Sequence, residues 1–315
     1  MNGNKPLVSA RTITYNHAPY ISQCIEGVLM QKTNFPFEYI IAEDCSTDGT
    51  REIVFDYAKK YPNTIKVITS GKNVGAHANA KRAFEACSGK YIAICEGDDY
   101  WTDPYKLQKQ VDFLENNREY LLVHTNYVTV DERGERIHSY LNYMKKLLTS
   151  EKKGFITKSL IKQNHIMTLT VLVNKEALFK LQDQILENCE GIGVIDYSLF
   201  LGISLLGKIH YDNRKTAAYR VLSDSASHSS DLNKRFEFIS YTINISRYFN
   251  KKYAISIKPD YFDRVELSAV LREYVIRGFY SKFIKAFCRG VRSDYLNLFR
   301  FKNYLYLIYF SIFKK

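Results

Sequence analysis

Strand-like and helix-like patterns alternate regularly through the first 130 residues, and this alternation limits the fold more than any other feature. Leu7–Thr14 is a β-rich run, and residues 18–31 follow with Ile21, Ile25, Val28 and Leu29 at helical spacing. Phe37–Ala42, Thr64–Thr69, Tyr91–Cys95 and Leu121–Val130 read as further strands. Residues 50–61 and 75–87 read as helices between them. Asp103-Pro104 has the form of an N-cap followed by proline at the first helical position, and the helix it opens carries Leu107, Val111 and Leu114 on one face. Strand and helix alternating in this way predict an α/β fold, a mainly parallel sheet with helices on both faces.

The later residues are less regular. Met167–Val173 and Ala217–Leu222 read as strands, residues 174–187 and 194–206 as helices, and the chain from about 230 onward as helical. The expected organisation is an α/β half at 1–130, a second half of the same domain at 131–230, and a basic, aromatic helical region at 231–315.

Charge follows that division. Of the net +12, residues 232–315 carry +11, with 17 Lys/Arg against 6 Asp/Glu, so the basic character belongs to the C-terminal region. Hydrophobic residues make up 46% of the 315, enough for a packed globular chain and too many for a disordered one. No stretch reaches the ~18 apolar residues of a membrane span. Cys24, Cys45, Cys87, Cys95, Cys189 and Cys288 form no CxxC pair, and MNGNKPLVSA holds no apolar stretch of signal-peptide length. The expectation is a cytoplasmic protein with reduced thiols.

In open α/β sheets, ligands bind beyond the carboxyl ends of the strands. Four short segments occupy that position: Tyr15-Asn16, Glu43-Asp44, Gly71–Gly75 and Glu96–Asp99. Glu96-Gly97-Asp98-Asp99 sets three carboxylates within four residues, a crowding relieved by a divalent cation, Mn²⁺ or Mg²⁺, which can also hold a diphosphate. The bland alternative is a solvated acidic turn. Asp44 can accept from a ribose or a base N–H, whereas Ser46, Thr47 and Asp48 suit turn and cap geometry. Tyr15 can stack on a base, and Lys72-Asn73-Val74-Gly75 suits an anion or a polar ring near a helix N-terminus. No GxGxxG follows the first strand, and HExxH, GxSxG and a complete P-loop are absent.

Taken in order, Val8–Asn16, Ile40–Gly49, Asn73–Gly75 and Gly89–Trp101 with Asp103-Pro104 resemble the family 2 glycosyltransferases of the GT-A fold. The resemblance is dense over about 1–130 and looser to about 228. It implies a nucleotide-sugar donor, UDP-linked in first place, bound by Thr14, Tyr15, Asp44, Lys72, Asn73, Gly75, Asn79, Glu96, Asp98, Trp101 and Arg220. Asp98, Asp99 and His228 are the implied metal positions. Glu96 stands where the family often has Asp, and Asn79-Ala80-Lys81 where it usually has Ala-Arg-Asn. Asp196, near a helix N-terminus that favours its charged form, is the implied catalytic base, with a plain N-cap as the alternative. Trp101 faces a sugar ring or fills the core. His228 meets phosphate, metal or solvent.

The implied reaction is inverting, metal-dependent transfer of a sugar, of hexosyltransferase type, to a hydroxyl of a glycan or lipid-linked glycan in polysaccharide assembly. Basic residues interleaved with aromatics at 280–315 suit contact with the inner face of the cell membrane. They also suit a nucleic-acid surface, ranked lower, or a helical cap on the catalytic domain. A non-catalytic nucleotide-sugar-binding protein shares the donor site without needing Asp196.

Overall fold

The computed structural model describes residues 5–137, 154–186, 195–222, 225 and 229–292. It divides into two compact units. One comprises Met1–Gly191 with Ile195–Leu222, and the other Ile192–Val194 with Ser223–Lys315.

The first unit opens with β1 (Val8–Thr14), α1 (Ile21–Leu29), β2 (Phe37–Glu43), α2 (Thr50–Lys60), β3 (Ile65–Ile68), α3 (Ala76–Ala86) and β4 (Tyr91–Ile94). It continues with β5 (Tyr100–Trp101), α4 (Lys106–Asn116), β6 (Tyr120–Val130), α5 (Thr157–Lys162), a 3-10 turn at Thr168–Thr170, β7 (Leu172–Asn174), α6 (Lys175–Leu186), α7 (Ile195–Leu206) and β8 (Lys208–Arg220). The strands form one sheet in the order β3-β2-β1-β4-β7-β6-β8-β5. β1 to β4 are mutually parallel, as the alternation predicts, and β6 runs parallel to β8. β7 is antiparallel to both its neighbours, and β5 is antiparallel to β8.

Alternation along β1 sends its side chains to opposite faces of the sheet. Val8 and Ala10 join Tyr39, Ile41, Tyr91 and Ala93 in a core closed by Ile21, Ile25 and Val28 of α1 and by Leu107, Val111 and Leu114 of α4. On the other face Arg11 meets Phe84 of α3, so helices cover both faces as expected. Cys24, Cys45, Cys87, Cys95 and Cys288 are free thiols.

Three expectations are corrected. The α4 helix starts at Lys106 rather than at Pro104. Asp103 instead accepts the Tyr105 N–H at 2.9 Å and takes Lys109 Nζ at 3.0 Å, capping one turn early. The expected strand Met167–Val173 shortens to Leu172–Asn174. Thr170 Oγ1 donates to the Met167 carbonyl at 2.7 Å, a local bond that competes with a ladder. The expected short strand at 217–222 is the end of the 13-residue β8, whose polar stretch Asn213–Lys215 is exposed and hid its apolar pattern. Register shifts of β6 against β8 fall between Tyr120 and Leu122, between Thr125 and Asn126, and between Asn126 and Tyr127.

The second unit is helical: α8 (Leu232–Lys252), α9 (Pro259–Ile276) and α10 (Tyr280–Arg292). Asp231 caps α8 by accepting the Asn233 N–H, and Pro259 stands at the start of α9. Phe283 and Phe287 of α10 pack against Leu271 and Val275 of α9, while Lys282, Ile284 and Lys285 are exposed. Both aromatic rings of the Lys282–Phe287 segment are therefore spent on the helical core. Among the described residues no helix is long and apolar enough to cross a membrane. The tail beyond Arg292 and the residue His228 lie outside the described residues.

Candidate active site

The ends of β1, β2 and β4 bring the sequence-scattered loops together. Thr14 is buried at the end of β1, and its carbonyl accepts the Asp44 N–H at 3.0 Å. Tyr15, the next residue, is 43% exposed and free to meet a planar ligand. Asn16 takes a positive φ of 55°, which turns the chain so that its Oδ1 accepts the Thr47 N–H and its N–H reaches Ser46 Oγ, both at 3.0 Å. Asp48 accepts from Thr50 and from the Ala18 N–H. Those bonds outweigh burial and hold its carboxyl below the ordinary range. Ser46, Thr47 and Asp48 thus build the turn.

Asp44 is 2% exposed, and both of its oxygens are engaged. Oδ1 accepts the Val74 N–H and Oδ2 the Gly75 N–H, each at 2.9 Å. Gly75 sits at φ 86°, where a side chain would be strained, and its N–H also reaches Asn73 Oδ1 at 2.8 Å. Lys72 and Asn73 are exposed on this loop. Asn79 is buried and ties α3 to β2 through Nδ2 to the Ala42 carbonyl at 2.8 Å. Arg82 links Asn79 Oδ1, at 2.6 Å, to Asp44, at 3.4 Å, and was not singled out from the sequence. Its signal was faint: one more basic residue in a basic helix.

The loop after β4 is electrostatically different. Gly97 has no room for a side chain, since a Cβ there would lie 2.7 Å from Thr14 Oγ1 and 2.8 Å from His17 Nδ1. Glu96 meets Arg11 at 3.4 Å through Oε1, and its Oε2 is enclosed without a hydrogen-bond partner. Burial pushes the Glu96 carboxyl up to about 7. Arg11 opposes the shift, and the neighbouring Asp98 and Asp196 carboxylates add to it. Burial likewise pushes Asp99 well above the carboxylate range, with Asp98 beside it, even though Asp99 Oδ1 accepts the Arg220 N–H at 2.7 Å.

Asp196 lies in the first turn of α7, and its Oδ2 accepts from Thr168 Oγ1 at 2.6 Å. Asp196 and Asp98 both add to the rise of the Glu96 carboxyl. Thr168 escaped the sequence reading because it was assigned to a strand.

Two expected ligand contacts take another form. Trp101 is 2% exposed, donates Nε1–H to the Leu169 carbonyl at 2.9 Å and backs onto Gly27, so the indole belongs to the core. Lys106, fully buried, lies 4.4 Å over that ring with Nζ on Gln110 Oε1 at 2.8 Å, and burial brings its pKa down to about 7. The Arg220 guanidinium is likewise engaged with protein. Nε donates to the Asp98 carbonyl at 2.9 Å, Nη1 to the Asp131 and Glu132 carbonyls at 3.1 Å, and Nη2 to Gln23 Oε1 at 2.7 Å. Four of its five N–H donors are thereby occupied, and the arginine fixes the Asp98-Asp99 turn from behind.

For a divalent cation the fit is partial. Among the described residues no three His, Cys, Asp or Glu side chains converge as a ready metal site. The orphaned Glu96 Oε2 and the raised carboxyls of Glu96 and Asp99 nevertheless mark a place where positive charge is wanted.

The family model for Glycosyl transferase family 2 matches residues 9–174, the stretch that builds most of this edge. An uncharacterized protein of Mycobacterium tuberculosis is 33% identical over 228 residues, covering 72% of this chain and 62% of the relative. The match thus spans under two thirds of that relative's length. TuaG of Bacillus subtilis, whose name assigns it to teichuronic acid biosynthesis as a glycosyltransferase, is 30% identical over 72% of this chain and 84% of its own. Among solved structures, Staphylococcus aureus TarS with UDP-GlcNAc superposes with a TM-score of 0.55 at 17% identity, covering 85% of this chain and 80% of TarS. The mannosyltransferase PcManGT of Pyrobaculum calidifontis, with GDP-Man and Mn²⁺, gives a TM-score of 0.58 at 15% identity, covering 99% of this chain and 88% of that one. At those identities the likeness is one of fold, and it agrees with the GT-A-like architecture. With more than half of its residues matched by the family model, this chain belongs to glycosyl transferase family 2.

Proposed function

We propose that the protein is an inverting, metal-dependent glycosyltransferase that moves a sugar from a nucleotide-sugar to a hydroxyl of a glycan or lipid-linked glycan. The observation that carries this reading is the set of loops gathered beyond the carboxyl ends of the parallel strands, where the Thr14 carbonyl takes the Asp44 N–H and Arg220 ties down the Asp98-Asp99 turn. Family membership, the name of TuaG and the donors bound by TarS and PcManGT support it.

The chain's own residues divide the task. Tyr15 stacks on the base, and the Asp44–Gly75 loop forms the wall of the base pocket, with Lys72 and Asn73 at its rim. Asp196 accepts the proton of the acceptor hydroxyl, which attacks the anomeric carbon from the face opposite the leaving group. Thr168, bonded to Asp196 Oδ2, fixes the direction of that carboxylate. Arg220 holds the Asp98-Asp99 turn rigid, so its contribution is to position rather than to grip phosphate. A divalent cation, Mn²⁺ or Mg²⁺, held by Asp98 and Asp99 with diphosphate oxygens, would supply charge neutralisation for the departing nucleoside diphosphate. A UDP-sugar of hexose type is the first donor to test. The exposed Lys282, Ile284 and Lys285 of α10 favour contact with an anionic membrane surface, which vesicle flotation with and without residues 280–315 measures.

Calorimetric titration with UDP, GDP and dTDP, with and without Mn²⁺, tests the reading. Metal-dependent binding of one nucleotide, lost in the Asp98→Asn/Asp99→Asn double variant, is the expected result. Binding of none of them overturns it.

A further inference from the structure

Behind the acidic loop lies an arginine that neither the fold nor the proposed proton transfer uses. Arg11 stands in the middle of β1, at 3% exposure, where a buried strand ordinarily takes an apolar residue. Its guanidinium carbon lies 4.2 Å over the Phe84 ring, a contact that restricts its movement. Among the described residues its one polar contact is the 3.4 Å approach of Nη2 to Glu96 Oε1. Nε and Nη1 are buried without partners, and so is Glu96 Oε2. The buried carboxylates on this edge are better served. Glu43 holds the Ser46 N–H and Thr69 Oγ1, Asp44 two backbone N–H groups, and Asp99 the Arg220 N–H.

An ion pair left this incomplete beside a ligand edge is a site whose last partner arrives with the ligand. The chemistry selects which part of the ligand that is. Phosphate oxygens are anionic acceptors, and a carboxylate repels them. Sugar hydroxyls are donors, and a carboxylate with unused lone pairs is their natural counterpart. Glu96 shares its loop with Asp98, on the proposed diphosphate side, and the transferred sugar is bonded to that diphosphate.

We propose that Arg11 is a positioning residue for the donor's sugar: stacked on Phe84, it holds the Glu96 carboxylate so that Glu96 accepts hydrogen bonds from the sugar hydroxyls. The proposal rests on the glycosyltransferase reading and deepens it.

The test compares a nucleotide with its sugar conjugate on the full chain in Mn²⁺: UDP against UDP-GlcNAc, and GDP against GDP-mannose, by calorimetry. For the pair that binds, Arg11→Met should weaken the sugar conjugate about tenfold or more, the size expected for a charged hydrogen bond, and leave the bare diphosphate within about twofold. Arg11→Lys, which keeps the charge without the fork, should recover part of the loss. Glu96→Gln, which keeps the shape, should reproduce the split and decides the matter if Arg11→Met does not fold. Equal weakening of both ligands, or of neither, makes Arg11 a core residue and overturns the proposal. If dTDP alone binds, the same comparison is read on dTDP-glucose; if the unaltered protein binds none of UDP, GDP and dTDP, the glycosyltransferase reading falls, and this inference falls with it.

Discussion

The two acidic loops of the ligand edge follow strands separated by one neighbour, yet they treat their carboxylates in opposite ways: Asp44 is buried, while Glu96 is a quarter exposed with one oxygen enclosed. Asp44 is saturated: two backbone N–H groups and Arg82 meet its oxygens, and the loop from Val74 to Gly75 is shaped around it. Glu96 is unsaturated: among the described residues one oxygen has no partner and the other has a long contact. A satisfied buried carboxylate stabilises the fold it sits in. An unsatisfied one costs stability until a ligand arrives, and functional sites collect such groups. The Asp44 loop is therefore a preformed wall, and the Glu96 loop is where charge and hydroxyls from outside are expected.

Four substitutions can break or sharpen this contrast. Asp196→Asn should have the largest effect, lowering transfer about 10²–10⁴-fold while donor affinity stays near its starting value, as measured by product formation beside calorimetry. Near-normal transfer removes Asp196 as the base.

Lys106, beneath the Trp101 end of the Glu96 loop, comes next. Its pKa falls from 10.5 to about 7 in the folded protein, so between those values the unfolded chain binds the extra proton. Stability should rise with pH across that window, by up to ~1.4 kcal/mol per unit, and level off below pH 7. Lys106→Met should flatten that slope and raise stability at pH 7 by a few kcal/mol, read by urea unfolding at pH 7 and pH 9. An unchanged slope shows that Lys106 is not the group responsible.

Asp44→Asn should destabilise the fold by about 1–3 kcal/mol, because an amide NH₂ cannot accept both backbone N–H groups. Glu96→Gln should be mildest, within ~1 kcal/mol near pH 6, where the native carboxyl is already largely protonated. The raised acid loses stability as pH climbs from 4.5 to about 7, so at pH 8 the Gln variant should be no less stable than the parent. If Glu96→Gln costs as much as Asp44→Asn, the contrast between the loops is wrong.

Much of the first half was legible. Buried parallel strands read as unbroken apolar runs, and the position after each run names the ligand edge without any coordinates. That is why Asp44, Gly75, Glu96 and Asp98 could be picked out by position. Partnering was not legible. Trp101 stood open between a sugar ring and the core until its N–H was seen on the Leu169 carbonyl, and Arg220 stood among the donor contacts until its own donors were counted. Arg11 was invisible within a strand pattern, because neither its stacking on Phe84 nor its contact with Glu96, 85 residues away, leaves a local trace.

The sequence by itself determined the periodicity, and with it the α/β class, the parallel order of the first four strands and the edge where acids gather. These follow from local sterics and from which residues must leave water. The tertiary structure decided the antiparallel seating of β7, the long β8 ladder and the bond of Thr168 to Asp196. It also decided which polar atoms are satisfied and which wait. Those outcomes depend on distances between residues far apart in the chain, and hydrogen-bond satisfaction and desolvation are set by such distances.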